Sequence, residues 1–560
     1  MTVLDKPWLK SYKLGPYKLD ASLAPYPELP LYHLLDQAAA SYPNQTAVLF
    51  EGRELKYYQL KSQVDRLAGA LTRLGVHKGD QVCLFLPNCL EYVLCYWAVL
   101  KAGGVVVPTS ILRSPEGLAY ELRESGARLL VCREEHLEMV QAAREQCAVE
   151  CILVTSSAGY DLQALSAPLP PGALELRSTL AESDAQPPEV EIDPKHDLCE
   201  LAFTGGATGI PKGVMLSHYN RYCAVLQGLP WMMKLMLRSL AGRASVLLSI
   251  PLFHTYGGFI QQSAAYLGMR LILLPDPRDA QAMADNIIQH RPFLVPGVPT
   301  QFMRLAEMGL RRSNTMLFSG AAPLPQEVAQ HIKDKTGMSV SEGYGLTETS
   351  AMVTLNVSAF SRITGFIGQE IPGIGVPVPD TEVRLVDPAS GLDTDAEQGG
   401  ELLVRGPQLM LGYWPEPGSG LTSDGWLYTG DIAVMDEAGY FRIVDRIKDM
   451  VNVSGLKVYT TQVDEVLFRH PAVLMAAAFG VPDPEIPGSE RVMAVVRLKD
   501  EPRETVSVAE LQAYCREHLP PYAVPKYIEF RDDLPLTVTE KLFKRVLREE
   551  AIHRMQDKSD

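Results

Sequence analysis

The sequence predicts an α/β protein: a large N-terminal domain of parallel and mixed sheets with flanking helices, a β-subdomain, and a small α+β C-terminal domain. Three observations predict it. Residues 79–132 alternate short apolar runs with helical patterns, as a parallel sheet with crossover helices requires. From about residue 375 the pattern changes to short strands bounded by turn residues. After the charged junction "RIKD", residues 446–449, a further set of helices and strands begins.

The elements follow in order. "QVCLFLP" reads as a strand, "LEYVLCYWAVLKAG" as a helix, "GVVVP" as a strand, "EGLAYELRESG" as a helix and "RLLVC" as a strand. The proline-rich pieces "SAPLPPG" and "AQPPEVEIDPKHD" read as surface connections. "LCELAF" is a short buried strand, and "VMLSHYNRYCAVLQ" after the glycine-rich loop is expected to be a helix. "LPWMMKLMLRSL" (229–240) reads as a core helix, with contact to a membrane or lipid as the other reading. Strands resume through "ASVLLSI", "LILLP", "FLVPGVP" and "TMLFSGAAPL", and "PQEVAQHIKDKTG" is a helix. "VRLVDPASG" and "GELLVRGPQ" belong to the β-subdomain, which "FRIVD" closes. The small domain holds "VYTTQVDEVLFRHP" (helix), "LMAAAFGVP" and "RVMAVVRLK" (strands), and "SVAELQAYCREHL" (helix). The boundaries are therefore 1–445 for the large domain, 446–449 for a hinge and 450–560 for the small domain.

Composition bounds the function. The 560 residues hold more than one domain, and 46% apolar with 21% charged residues is ordinary for a globular enzyme. A net charge of −15 argues against a general attraction to nucleic acid or anionic membrane. The nine cysteines form no C-x-x-C pair and no zinc spacing, so reduced thiols and a cytoplasmic location are expected. The N-terminus has no apolar signal-peptide core, and no run of 18 apolar residues suggests a membrane span.

"TGGATGIPKG" (204–213) packs four glycines, two threonines, a proline and a lysine into ten residues. Glycines allow close backbone approach, and successive N–H groups make an anion-binding concavity. Hydroxyls and a lysine complete a phosphate site. Lys212 is followed by Gly213, not by a hydroxyl residue, so this is not a Walker A loop. "GYGLTETS" (343–350) adds an aromatic ring, a hydroxyl and a carboxylate, a hard-oxygen ligand suited to Mg²⁺. Asp431 follows a Thr-Gly turn, where a carboxylate suits ribose hydroxyls, and Arg446 follows a strand. Lys541 is expected at the start of a C-terminal helix. Lys544 and Arg545 are the neighbouring cations, and Lys544, three residues along the same helix, is expected to be functionally silent.

Together, and in this order, these stretches resemble the acyl-adenylate-forming (AMP-binding) superfamily, of the AMP-forming acyl-CoA synthetase or fatty-acid–CoA ligase type. The resemblance spans about residues 30 to 550. It implies that Thr204, Gly205, Gly206, Thr208, Gly209 and Lys212 meet the ATP phosphates. It implies that Gly320, Ala321 and Ala322 run along the adenine, with Tyr344 stacked on it beside Gly345. Thr347 and Glu348 would serve phosphate and metal, Thr204 and Glu348 being the Mg²⁺ positions. Asp431 would hold the ribose, assisted by Arg446. Lys448 would be the hinge of a mobile small domain, and Gly455 in "VSGLKV" would enter the site when the thiol attacks. Lys541 would bridge the substrate carboxylate and α-phosphate, and His254 in "PLFHTYGG" would lie beside the acyl group. The catalytic set is thus Lys541, Glu348, Thr204 and His254, with ATP, Mg²⁺ and coenzyme A as cofactors or co-substrates.

Alternatives stand beside these roles. The other readings are Lys212 as a loop-steadying residue, His254 as an ordinary packed histidine and Lys541 as a solvated helix-start lysine. The chain also departs from the family pattern. Gly205 and Ala207 replace hydroxyl residues, Glu540 replaces the glycine before the lysine, and Thr461 with Gln462 or Val463 replaces a proline and glutamate. A fatty-acid–CoA ligase is the leading reading. An aryl-acid–CoA ligase, an acyl–carrier-protein ligase and a weakly catalytic nucleotide-binding relative are the others. The expected partners are a small carboxylic acid, ATP and CoA, with no nucleic acid and at most peripheral membrane contact.

Overall fold

A computed structural model describes residues 3–159, 165–183, 186–205, 211–234, 237–310, 314–358, 371–499, 506–537 and 542–557. Gly206, Thr208, Gly209 and Lys541, with Ala207 and Glu540, lie outside these residues.

Two nine-stranded sheets form the large α/β region. In the first, Val105–Pro108, Gln81–Phe85, Leu129–Arg133, Cys151–Thr155 and Ala173–Glu175 run parallel, and Leu198–Gly205 joins beside Val105–Pro108. The second places Val340–Tyr344, Met316–Ser319, Leu294–Gly297, Ser245–Leu248, Arg270–Leu273 and Thr46–Phe50 in parallel order. The helix Leu90–Lys101 is buried along its whole length within the largest core. Its sequence is apolar nearly all round, so it has no face to offer water. Its terminal Lys101 is held at 2.7 Å by both Asp36 and Asp65.

The expected β-subdomain is a four-stranded antiparallel sheet of Glu382–Val386, Gly400–Arg405, Leu427–Met435 and Phe441–Arg446. Beyond it, Val473–Pro482, Glu490–Leu498 and Tyr527–Phe530 make a three-stranded sheet. Alternate residues of its strands feed two separate cores. Ala476, Ala478, Val492 and Ala494 pack with Val463, Leu467 and Leu511 from the helices Thr460–Arg469 and Val508–His518. Ala477, Phe479, Val481 and Val495 pack with Leu547 and Ala551 of the helix Lys544–Asp557.

Two expectations are corrected. The stretch after the glycine-rich loop is first a strand, Pro211–Ser217, and the helix begins only at His218. Residues 229–240 are two short helical pieces, Leu229–Met232 and Leu237–Leu240, rather than one helix. Trp231 is buried there, its indole N–H donating to Asp20 O at 2.9 Å. Among the described residues no helix is long and apolar enough to cross a membrane.

Candidate active site

Leu198–Gly205 and Pro211–Ser217, the strands flanking the glycine-rich stretch, pair antiparallel as a hairpin. Thr204 and Lys212 are register partners at its mouth. A strand, not a helix, follows the glycine-rich stretch, so no helix N-terminus directly follows the phosphate site expected there. The Lys212 ammonium lies 5.0 Å from the centre of the Tyr413 ring. The Tyr413 hydroxyl donates to Glu348 Oε1 at 2.9 Å. One contact chain thus joins Thr204, Lys212, Tyr413 and Glu348. Tyr413 is placed by backbone pairing: Gly412–Tyr413 add to the hairpin beside Met215 and Val214, and Trp414 N–H donates to Gly213 O at 2.8 Å.

A second group forms around Asp431. Its side chain is 3% exposed; Oδ2 accepts from the Tyr344 hydroxyl at 2.6 Å, and Oδ1 faces Arg446 Nε at 2.9 Å. Asp431 and Arg446 are cross-strand partners, so the pair is built into the sheet register. Burial, and then Asp431, push the Tyr344 phenol well above its ordinary value, keeping it a donor. The ring expected to stack on the base and the carboxylate expected to hold the ribose are therefore one hydrogen-bonded unit. Gly345 is required by close approach, since a Cβ there would lie 2.2 Å from Ala351 O.

Gly320, Ala321 and Ala322 leave the strand Met316–Ser319 beside the end of the parallel strand Val340–Tyr344. This crevice outside adjacent strand ends is where open α/β sheets bind ligands. Gly320 N–H donates to Gly297 O at 3.1 Å, and Ala321 has a φ of +67°. Ala321 also lines a cavity of about 210 Å³ with His254, Ile111, Leu112, Phe253 and Val298. His254 caps the helix Thr255–Tyr266, its Nδ1 accepting from Tyr256 N–H at 3.3 Å. It is both a capping residue and a wall of the cavity. Asn88 and Gln301 brace that wall. Asn88 Nδ2 donates to Ile250 O and Leu274 O at 3.0 and 3.1 Å, and Gln301 Nε2 donates to Ser249 O and Pro277 O at 2.7 and 2.8 Å.

Thr347 begins the short 3₁₀ turn Thr347–Thr349 that carries Glu348. Lys448 is exposed in a turn where Asp449 and Met450 N–H both donate to Arg446 O. Gly455 sits at the tip of the hairpin Val451–Val453/Leu456–Val458, with φ +88° after Ser454 at +50°. Two positive φ values there match a two-residue hairpin turn. Lys544 is half-buried. Its ammonium donates to Thr460 Oγ1 at 2.9 Å and pairs with Asp464 at 2.7 Å. The Thr460 N–H donates to Asp445, next to Arg446.

The chain matches the family model of the AMP-binding enzymes over residues 35–414, and that of the AMP-binding enzyme C-terminal domain over 462–541. It belongs to the AMP-binding enzyme family. This AMP-binding enzyme is 34% identical to the long-chain-fatty-acid–CoA ligase of Bacillus subtilis, covering 98% of both chains. It is 34% identical to a feruloyl-CoA synthase of an Amycolatopsis species, over 90% of this chain and 96% of that one. Among solved structures, ATP-bound MatB from Rhodopseudomonas palustris superposes with a TM-score of 0.80 at 26% identity, covering 93% and 98% of the two chains. Sequence reasoning missed Tyr413 in this enzyme. The signal present was an aromatic residue in "LGYWPEP", with nothing local to say that it reaches Glu348.

Proposed function

We propose that the protein is an ATP-dependent carboxylate–CoA ligase acting on a medium- or long-chain fatty acid. The observation that carries the reading is the pair of contact groups, Thr204–Lys212–Tyr413–Glu348 and Tyr344–Asp431–Arg446, in a chain of this family. The first suits phosphates and the second a ribose. The braced cavity beside His254 and Ala321 is the acyl site in this reading.

A carboxylate attacking ATP approaches a polyanion. Its oxygen bonds to the α-phosphorus while the bond to pyrophosphate breaks, giving acyl-AMP. The CoA sulfur then attacks the acyl carbon and AMP leaves with the bonding pair. Lys212 and Lys541 lower the first barrier by meeting negative charge on phosphoryl oxygens, a preorganised contribution of several kcal/mol where water is excluded. Asp431, fixed by Tyr344 and Arg446, orients the nucleotide. Thr204 and Glu348 would hold Mg²⁺, which supplies charge neutralisation at the phosphates. The residues fit it: Glu348 offers a hard carboxylate oxygen, its other oxygen held by the Tyr413 hydroxyl, and Mg²⁺ commonly takes one or two carboxylates plus substrate phosphates. Residues 1–445 then carry nucleotide and acid, 446–449 form the hinge, and 450–560 bring Lys541 in for adenylation and Gly455 for thiol attack. The cytoplasm, with its ATP and reduced CoA, is the matching location.

The test is pyrophosphate release with and without CoA over saturated acids of increasing length and over cinnamates. Release that needs a fatty acid, with CoA consumed, supports the proposal. Preference for cinnamates would favour the aryl-acid reading, which the feruloyl-CoA synthase relative supports.

A further inference from the structure

Tyr413 touches both charged side chains of the proposed phosphate site, Lys212 and Glu348. Its ring is clamped: a Cβ on Gly420 would lie 2.4 Å from Tyr413 Cε2, so only glycine lets that backbone close on the ring, and Lys212 sits over the ring. Its backbone N–H donates to Ser419 Oγ at 2.9 Å, which fixes the turn that follows. Among the described residues, the Tyr413 hydroxyl is the one hydrogen-bond donor to the Glu348 carboxylate. The ring and the hydroxyl therefore act on different residues.

We infer that Tyr413 is a positioning residue for adenylation: its hydroxyl turns Glu348 toward a divalent cation, and its ring holds Lys212 at the nucleotide phosphates. The inference rests on the phosphate site proposed above. With Oε1 tied to the phenol, Oε2 is the atom presented to the cation. Groups that orient a metal-binding carboxylate are worth about 10- to 100-fold in metal affinity. A cation over an aromatic face at an open site is worth a few-fold in equilibrium terms.

The two arms separate by substitution. Tyr413→Phe keeps the ring and loses the hydroxyl, whereas Tyr413→Leu loses both. In the full-length protein, without carboxylic acid or CoA, Mn²⁺ binding is followed by electron paramagnetic resonance with saturating ATP. ATP affinity is measured separately in EDTA. Tyr413→Phe should weaken Mn²⁺ about tenfold and leave metal-free ATP affinity unchanged. Tyr413→Leu should weaken Mn²⁺ similarly and metal-free ATP about threefold. In a Glu348→Gln background, Tyr413→Phe should have no further effect on Mn²⁺, because the hydroxyl acts only through that carboxylate. Wild-type Mn²⁺ affinity in Tyr413→Phe would overturn the inference, as would an undiminished effect in Glu348→Gln or equal loss of metal-free ATP in both variants. A wild-type protein that binds no ATP would overturn the proposed function itself.

Discussion

Replacing Lys544 by Met should destabilise the C-terminal region strongly, and more so in alkaline than in acid solution. Lys544 is 21% exposed and its partner Asp464 10%. Asp464 also accepts from Ala478 N–H at 2.6 Å, and Asp445 lies near the same ammonium. Burial pulls the lysine's pKa down, and Asp464 and Asp445 more than offset it. Burial pushes Asp464 up to about 6 even with Lys544 beside it. The substitution keeps most of the aliphatic stem and removes the cation, leaving two buried carboxylates without it. Breaking a buried ion pair from one side costs about 3–5 kcal/mol, and the residual exposure places this pair near about 3 kcal/mol.

The sign with pH follows from Asp464. Its folded pKa is raised above the unfolded value of about 3.9, so its contribution to stability is full below that pH and lost as pH rises through about 6. Lys544 limits that loss. Without it the carboxylate rises further, so the deficit grows between pH 5 and pH 8. At pH 5, with Asp464 protonated, about 1 kcal/mol should remain from the lost Thr460 hydrogen bond. Urea unfolding at both pH values, followed by fluorescence and by proteolysis of the C-terminal region, measures this. Arg545→Met is the control, because Arg545 is 60% exposed and its nearest carboxylate, Glu549, is 3.7 Å away on the surface. It should change stability by less than about 0.5 kcal/mol. Adding Asp464→Asn to Lys544→Met should restore part of the loss at pH 8 while keeping an acceptor for Ala478. An equal loss at both pH values would mean that stem packing, not charge, was removed. No loss at either would refute the ion-pair argument.

Further outcomes are expected at the site. Asp431→Ala should lower kcat/KM for ATP by about 10²-fold and by the same factor with two unrelated acids, since it loses a charge-assisted ribose partner and strands Arg446; steady-state kinetics with varied ATP checks it. Gly345→Ala drives a Cβ against Ala351 O, so it should cost about 1–3 kcal/mol of stability and weaken ATP binding, read by calorimetry. Lys541→Ala should slow acyl-AMP formation by about 10²-fold or more while leaving thioester formation from supplied acyl-AMP within a few-fold of wild type, as separate half-reaction assays will show.

What was legible in the sequence was whatever local periodicity writes. Apolar runs of four to six residues between turn signals became the parallel strands, and the helix Leu90–Lys101 announced its burial by being apolar on every side. The strand after the glycine-rich loop was misread because "VMLSHYNRYC" is apolar enough for either state. The correct boundary was nevertheless written in "SHYN". Ser217 Oγ accepts from Asn220 N–H at 3.1 Å and Asn220 Oδ1 accepts from Ser217 N–H at 3.2 Å, a reciprocal cap that starts the helix at His218. Tyr413 and Lys544 carry no such local mark. Tyr413 reaches Glu348 because a two-residue strand adds to the edge of a hairpin from a distant part of the chain. Lys544 meets Asp464, 80 residues earlier, because two helices cover the same sheet strand. Single-residue chemistry therefore nominates groups of a type suited to touch a ligand, since the reaction dictates that type. The groups that aim them are chosen by register and packing, and any donor of the right length would serve. That is why Tyr413 and Lys544 emerge only with the fold, and why their substitution should change affinity, pH dependence or stability before it changes the chemistry performed.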